Sequence, residues 1–297
     1  MLYFGGKHEK TYVVTVYEQK PARLLAQLLL ELEGSPLRGA YCAGFECEVW
    51  RCLPFADHLM EWLADYALRE EELRVSHVNM YVRLKEAAAR IYSSDKYKKR
   101  GEVGEIILHA ICRDFFGTIP FAPRVFYLTS SNDVVKSFDM VHVRYLDDDK
   151  FELWLGEAKF YENGDAAIKA AISSVETHIQ QGFLNHEKLI LGPQISPNIP
   201  RYHEIRELLS IQTSLDSLFD AAVFPICIAC DSVAASSHTS LSDMYSGAVL
   251  EELSALQQRV PESGLAQKIR IILIYVPLAS KDALAAAFDA RLKGLSQ

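Results

Sequence analysis

The run SFDMVHVRYLDDDKFELWLGEAKFY, residues 137–161, carries the densest structural signal in the chain. Asp147-Asp148-Asp149 is a turn signal between two stretches rich in β-branched and aromatic residues. Ser137–Leu146 and Phe151–Tyr161 are therefore predicted to be the two strands of a hairpin. With the turn centred on Asp148, Leu146 faces Lys150, and Asp139 and Glu157 lie equally far out and face each other. Residues directly opposite on antiparallel strands have Cβ atoms about 5 Å apart and point to the same face. A bulge in the turn would shift that register by one. Glu157 and Lys159 are two apart on one strand, so both project to that face as well.

Two carboxylates and an ammonium thus converge beside the apolar run Leu153-Trp154-Leu155-Gly156. Such a group is costly unless its members pair or bind an ion. Asp139 and Glu157 offer hard oxygen ligands for Mg2+ (or Mn2+), and the backbone carbonyl of Ala158 would add another. The metal would lower the pKa of a bound water and neutralise charge developing on phosphorus. Lys159 places a compact positive charge beside the attacking water or the scissile phosphate. E-x-K alone is a weak motif, and its bland reading is a surface hairpin with an ordinary Glu–Lys pair. Asp139 in register makes it more specific.

On the N-terminal side, Gly101–Phe116 reads as a helix whose broad apolar face is Val103, Ile106, Ile107, Ala110, Ile111 and Phe115. It opens on GEVGE. Glu102 and Glu105 lie on one flank of it, either as favourable charge at a helix N-terminus or as a further metal ligand. Glu105, a turn deeper, is the preferred candidate. On the C-terminal side, Asp165–Leu184 reads as one long helix containing Gln180 and Gln181, Ala221–Cys230 and Lys268–Val276 as strands, and Lys281–Leu292 as a closing helix. With a strand at Val125–Leu128, the elements form a mixed α/β sheet covered by helices.

GEVGE (101–105), SFD (137–139) and GEAK (156–159) together resemble the PD-(D/E)XK nuclease superfamily. Its restriction-endonuclease-like fold is a mixed sheet flanked by helices in the order α-β-β-β-α-β. More narrowly, SSNDVVKSFD and LWLGEAKFY are similar to the HamA family of the Hachiman anti-phage system. The resemblance implies a DNA nuclease, restrained and then triggered through a HamB-like superfamily 2 helicase. It places the catalytic and metal-binding roles on Asp139, Glu157 and Lys159, and the helix glutamate at Glu102 or Glu105. The superfamily's proline before the aspartate is Phe138 here. Some relatives orient the site with a glutamine on the following helix, which points to Gln180 and Gln181; the bland reading of these is a solvated helix face.

Residues 1–95 read as an α-rich accessory and partner-docking region, and 96–297 as the nuclease core. The first part carries a strand at Thr11–Tyr17 and helices at Pro21–Glu33, Phe55–Glu72 and Met80–Tyr92, with Leu24, Leu25, Leu28 and Leu29 at helical spacing. The link between the parts holds Lys96, Lys98, Lys99 and Arg100, either a solvated loop or a DNA-contacting patch. The chain of 297 residues has a net charge of −8. That argues against tight DNA binding by the chain alone, but leaves room for a local basic patch, metal ions or a DNA-delivering partner. No run is long and apolar enough for a membrane span, no secretory signal is visible, and six cysteines read as reduced thiols; a cytoplasmic protein is expected. Cys227 and Cys230 form a lone CxxC without companion histidines, read as buried small side chains and not as zinc ligands. A Ser or Cys hydrolase finds no GxSxG elbow. The remaining competitor is a catalytically inactive nuclease-like module that binds a partner or DNA ends.

Overall fold

In the computed structural model, residues 16–91, 101–121, 138–147 and 150–296 are described. β1 (Ala26–Glu31), β2 (Leu37–Cys42) and the short β3 (Phe45–Glu46) and β4 (Val49–Trp50) lead into α1 (Cys52–Glu61), α2 (Leu63–Ala67) and α3 (Met80–Ile91). Then come α4 (Gly101–Phe115), β5 (Ile119–Pro120), β6 (Met140–Tyr145), β7 (Phe151–Tyr161), α5 (Gly164–His178) and α6 (Gln181–Leu191). α7 (Tyr202–Leu208), α8 (Leu215–Ala221), β8 (Ala222–Asp231), α9 (Val233–Ser237), α10 (Asp243–Gln257), α11 (Arg259–Glu262), β9 (Ile271–Leu278) and α12 (Lys281–Ser296) follow.

Among the described residues, seven strands form one mixed sheet in the order β1-β2-β9-β8-β7-β6-β5. β8 and β9 are buried along nearly their whole length and pair in parallel, as near-continuous apolar strands covered on both faces do. β7 runs parallel to β8 and antiparallel to β6. One face is covered by α5 and α10, through Ile168, Ala171, Val175, Val249 and Leu253. The other is covered by α1, α4 and α12, through Phe55, Leu59, Ile107, Ile111, Leu284 and Phe288. The architecture is a PD-(D/E)XK-like mixed sheet between helical layers. α4, β5, β6, β7, α5 and β8 follow the expected α-β-β-β-α-β order, with β5 at Ile119–Pro120 as the described strand beside β6.

The hairpin register is the predicted one. Met140 pairs with Gly156 and Tyr145 with Phe151, and the Leu146 amide donates to the Lys150 carbonyl at 2.9 Å.

Four sequence expectations need correction, one of them in its described part only. Pro21–Glu33 is not a helix: β1 occupies Ala26–Glu31 and pairs antiparallel with β2, with an irregularity between Gln27 and Leu29. β2 pairs in turn with β9. Leucine pairs satisfy either periodicity, and the open edge of β2 offers backbone partners that outweigh a weak helical preference. Asp165–Leu184 is two helices: the chain turns extended at Gln180 (φ −65°, ψ 141°) before α6. Phe55–Glu72 is likewise α1, α2 and a 3-10 turn at Glu70–Glu72. Of Thr11–Tyr17, Val16 and Tyr17 belong to a 3-10 turn, and residues 11–15 lie outside the described residues. So do the Val125–Leu128 strand and the Lys96, Lys98, Lys99 and Arg100 patch. β1 and β2 share the sheet with β6–β9, and α1 shares a buried face with α4 and α12.

Candidate active site

Asp139 precedes the first residue of β6, and its backbone is pinned. Its amide donates to the Gly156 carbonyl at 2.9 Å. The preceding Phe138, 1% exposed, packs its ring against those of His178, Phe183 and Phe224. The residue in the superfamily's proline position is thus an aromatic anchor. The Asp139 carboxylate turns across the ladder and accepts from the Ala158 amide at 2.8 Å. Asp139 is 8% exposed and Glu157 2%. Lys159 donates to Glu157 Oε1. Burial pulls the Lys159 ammonium down, but the charge of and hydrogen bond to Glu157, with Asp139 behind, outweigh it and raise its pKa. Lys159 is therefore charged at neutral pH.

α4 runs antiparallel to β7 and meets it at two glycines. A Cβ on Gly104 would stand 3.0 Å from Phe160 Cβ and 3.6 Å from the Lys159 carbonyl carbon. One turn on, Leu108 Cδ2 lies 2.7 Å from where a Cβ on Gly156 would be. The glycines of GEVGE and GEAK thus let the helix sit on the strand. This close approach brings Glu105 to a cleft of about 670 Å³ that it lines together with Asp139, Ala158, Lys159, Asn163 and Lys281. Glu102, half-exposed one turn earlier, is not among the lining residues. Gln180 and Gln181 are exposed at the α5–α6 break, and Gln180 lines a different groove with Ile179 and Phe219.

Three contacts to the site had no reading in the sequence. His178 Nδ1 lies 3.4 Å from Glu157 Oε2, its ring stacked on Phe183 at 4.5 Å. The signal was available: His178 continues the buried stripe Ile168, Ala171, Val175 of α5. Tyr66 donates to Glu105 Oε2 across 39 residues of chain. The third, Lys281, enters the cleft from the start of α12. Neither of these two has a local signature.

Behind Glu105, the same side of α4 is gripped by α2. Asp65 receives His109 Nε2 at 2.8 Å and Arg113 Nε at 3.0 Å. His109 Nδ1 meets His142 Nε2 at 3.1 Å, and His142 Nδ1 meets Thr118 Oγ1 at 2.8 Å. One assignment of hydrogens satisfies the chain: Thr118 donates to His142, His142 to His109, and His109 to Asp65, with both rings neutral. Burial favours the neutral rings, lowering the pKa of His109 against the pull of Asp65 and that of His142 further. Burial raises the Asp65 carboxyl, but His109 and Arg113 outweigh it and hold it below the usual range. Cys227 and Cys230 lie buried within β8, where burial pushes the Cys230 thiol up to about 12, the mark of inert structural cysteines.

The oxygens of the site suit a hard cation. An extended residue sends its N–H and C=O to the same side, so the Ala158 carbonyl leaves β7 on the side where its amide meets Asp139. Two carboxylates and a carbonyl fit magnesium, which keeps several waters. Among the described residues, no group of three or more His, Cys, Asp and Glu side chains is placed to hold a metal ion. Here the protein would supply a minority of the ligands. A profile of the HamA family matches residues 23–292. No curated protein matches the chain.

Proposed function

Because the chain belongs to the HamA family, the nuclease-fold subunit of the Hachiman anti-phage system, we propose that it is a magnesium-dependent deoxyribonuclease. It hydrolyses DNA phosphodiesters as the effector of a bacterial defence system. The observation that carries this reading is the β6–β7 pairing, which ends at Met140 and Gly156 and leaves Asp139 bonded to the Ala158 amide, with Asp139 and Lys159 at the wall of a cleft and the buried Glu157 bonded to Lys159. Asp139, Glu157 and the Ala158 carbonyl would hold Mg2+ or Mn2+, which supplies an acidified water and charge neutralisation at phosphorus. Lys159, held charged by its carboxylate neighbours, steadies the anionic phosphate. Glu105 faces the cleft from α4, oriented by Tyr66. His178 backs Glu157 from α5, its Nδ1 3.4 Å from Glu157 Oε2.

Purified chain should cut DNA with magnesium, alone or with its partner, and the Glu157→Ala, Lys159→Ala double variant should not. Cutting by that folded double variant would end the proposal. The inactive-module reading draws on the absence, among the described residues, of a three-ligand cluster; a parent chain inert with magnesium and with the partner present would favour it.

A HamB-like superfamily 2 helicase is the proposed partner, docking on residues 1–95. There Val78, Tyr81 and Val82 are exposed apolar side chains on one short stretch. Val78→Asp with Tyr81→Asp should abolish co-purification with the helicase; unchanged co-purification would refute docking at this stretch. No helix among the described residues is long and apolar enough to cross a membrane.

A further inference from the structure

Among the described residues that line the cleft, the basic ones are Lys159 and Lys281. Lys159 is committed to Glu157; Lys281 has no part in the chemistry described above. It opens α12, just past the end of β9. Its amide donates to Asp231 Oδ1 at 2.5 Å, which ties it to the end of β8. Its ammonium stands 5.7 Å from the centre of the Phe160 ring, the residue after Lys159. Lys281 is only 7% exposed, although it sits at the wall of an open cleft.

A lysine fixed in this way has little rotamer freedom left to lose when it binds. Its ion pairs include Asp282 at 3.2 Å and Glu162 at 3.8 Å, whose side chains are 55% and 68% exposed. Exposed carboxylates hold a cation weakly and can turn back to water. The cleft wall also carries Glu105, Asp139 and Glu162, so a polyanion entering it needs a compensating cation besides the one engaged with Glu157. Lys159 comes from β7 and Lys281 from the start of α12, past the end of β9.

We propose that Lys281 is a phosphate contact for the DNA strand in the cleft. The identity of the strand rests on the nuclease reading; the contact itself is testable without cutting. Binding of a short labelled duplex, and of its single strand, to the full-length Glu157→Ala chain is followed by fluorescence anisotropy with magnesium as salt is raised. One phosphate contact contributes about 0.9 to the salt slope, which amounts to roughly eightfold in affinity at about 0.1 M salt. Lys281→Gln should lose that factor and that slope on the duplex, or about 0.7 of slope and roughly fivefold in affinity on the single strand, and Lys281→Arg should restore both. Lys150→Gln removes an exposed charge at the turn end of β7 and should change neither. If Lys281→Gln fails to fold, Lys281→Met keeps the stem beside Phe160 and should show the same loss.

Parental affinity and slope in a folded Lys281→Gln or Lys281→Met chain would overturn the proposal. So would an equal loss in Lys150→Gln, or no binding by the Glu157→Ala chain up to about 100 µM, the weak end of non-specific DNA affinity. Should the unmodified chain never cut while the Lys281 variants lose binding, the nuclease reading falls and the contact stands.

Discussion

Replacing Gly104 with alanine puts a methyl group where α4 crosses β7. The new Cβ would lie 3.0 Å from Phe160 Cβ, 3.4 Å from the Phe160 amide nitrogen and 3.6 Å from the Lys159 carbonyl carbon. Two of the three neighbours are strand backbone and cannot rotate aside, so the helix must retreat by a few tenths of an ångström. Alanine is worth about 0.5–1 kcal/mol over glycine inside a helix, but overpacking a dense interior costs about 1–3 kcal/mol. Strain wins, with a net loss of about 1–2 kcal/mol and a fall in Tm of a few degrees, at about 2–4 °C per kcal/mol. Glu105 follows Gly104 and moves with it. If an ångström of misplacement costs about a hundredfold in rate, a third of that costs about three- to fivefold. Chemical denaturation and the DNA-cleavage rate read the two effects separately. A Gly104→Ala chain at least as stable as the parent and equally active would refute the close approach of α4. A chain less stable but equally active would show that the position of Glu105 does not matter to the cut.

Tyr66→Phe keeps the ring and removes the hydrogen bond to Glu105. It should cost about 1–3 kcal/mol as a bond to a charged group and raise the magnesium concentration needed for half-maximal cutting; a stability loss with unchanged magnesium dependence would place Tyr66 in the scaffold alone. The His109–His142 pair gives the fold a pH dependence. Both pKa values are lowered in the folded chain from 6.5, so below about pH 6.5 the unfolded chain binds protons that the folded chain does not. Stability should fall with pH from there down to the folded-state values, by about 1.4 kcal/mol per pH unit for each ring. His142→Gln should halve that slope in denaturation curves taken between pH 6.5 and 5; an unchanged slope would contradict the neutral-ring assignment.

The sequence and the structure agree where one local pattern dominates. The aspartate turn and the alternation on either side of it are enough to specify β6, β7 and their register from Met140–Gly156 to Tyr145–Phe151. α4 was legible from its apolar stripe, α12 from its composition. The misreadings share a cause, which is tertiary context. Leu28 and Leu29 suit a helix or a strand equally, and only the edge of β2, itself held by β9, decides for β1. The break at Gln180 has no proline to mark it, and the lone Gly182 beyond it is too weak a breaker to place it. Tyr66, Lys281 and the α2 grip on α4 join residues far apart in the chain through side chains that are unremarkable locally, so periodicity and spacing do not reveal them. The glycines of GEVGE and GEAK are a middle case: visible as residues, but explained only when helix and strand are seen to touch.

Asp139 and Glu157 are proposed to share one divalent ion. Manganese binding, followed by electron paramagnetic resonance on the full chain, tests it without reference to cutting. The parent should bind Mn2+, and Asp139→Asn and Glu157→Gln should each weaken that binding on the order of tenfold or more, with the fold intact by circular dichroism. Folded variants that both hold Mn2+ as tightly as the parent would contradict it.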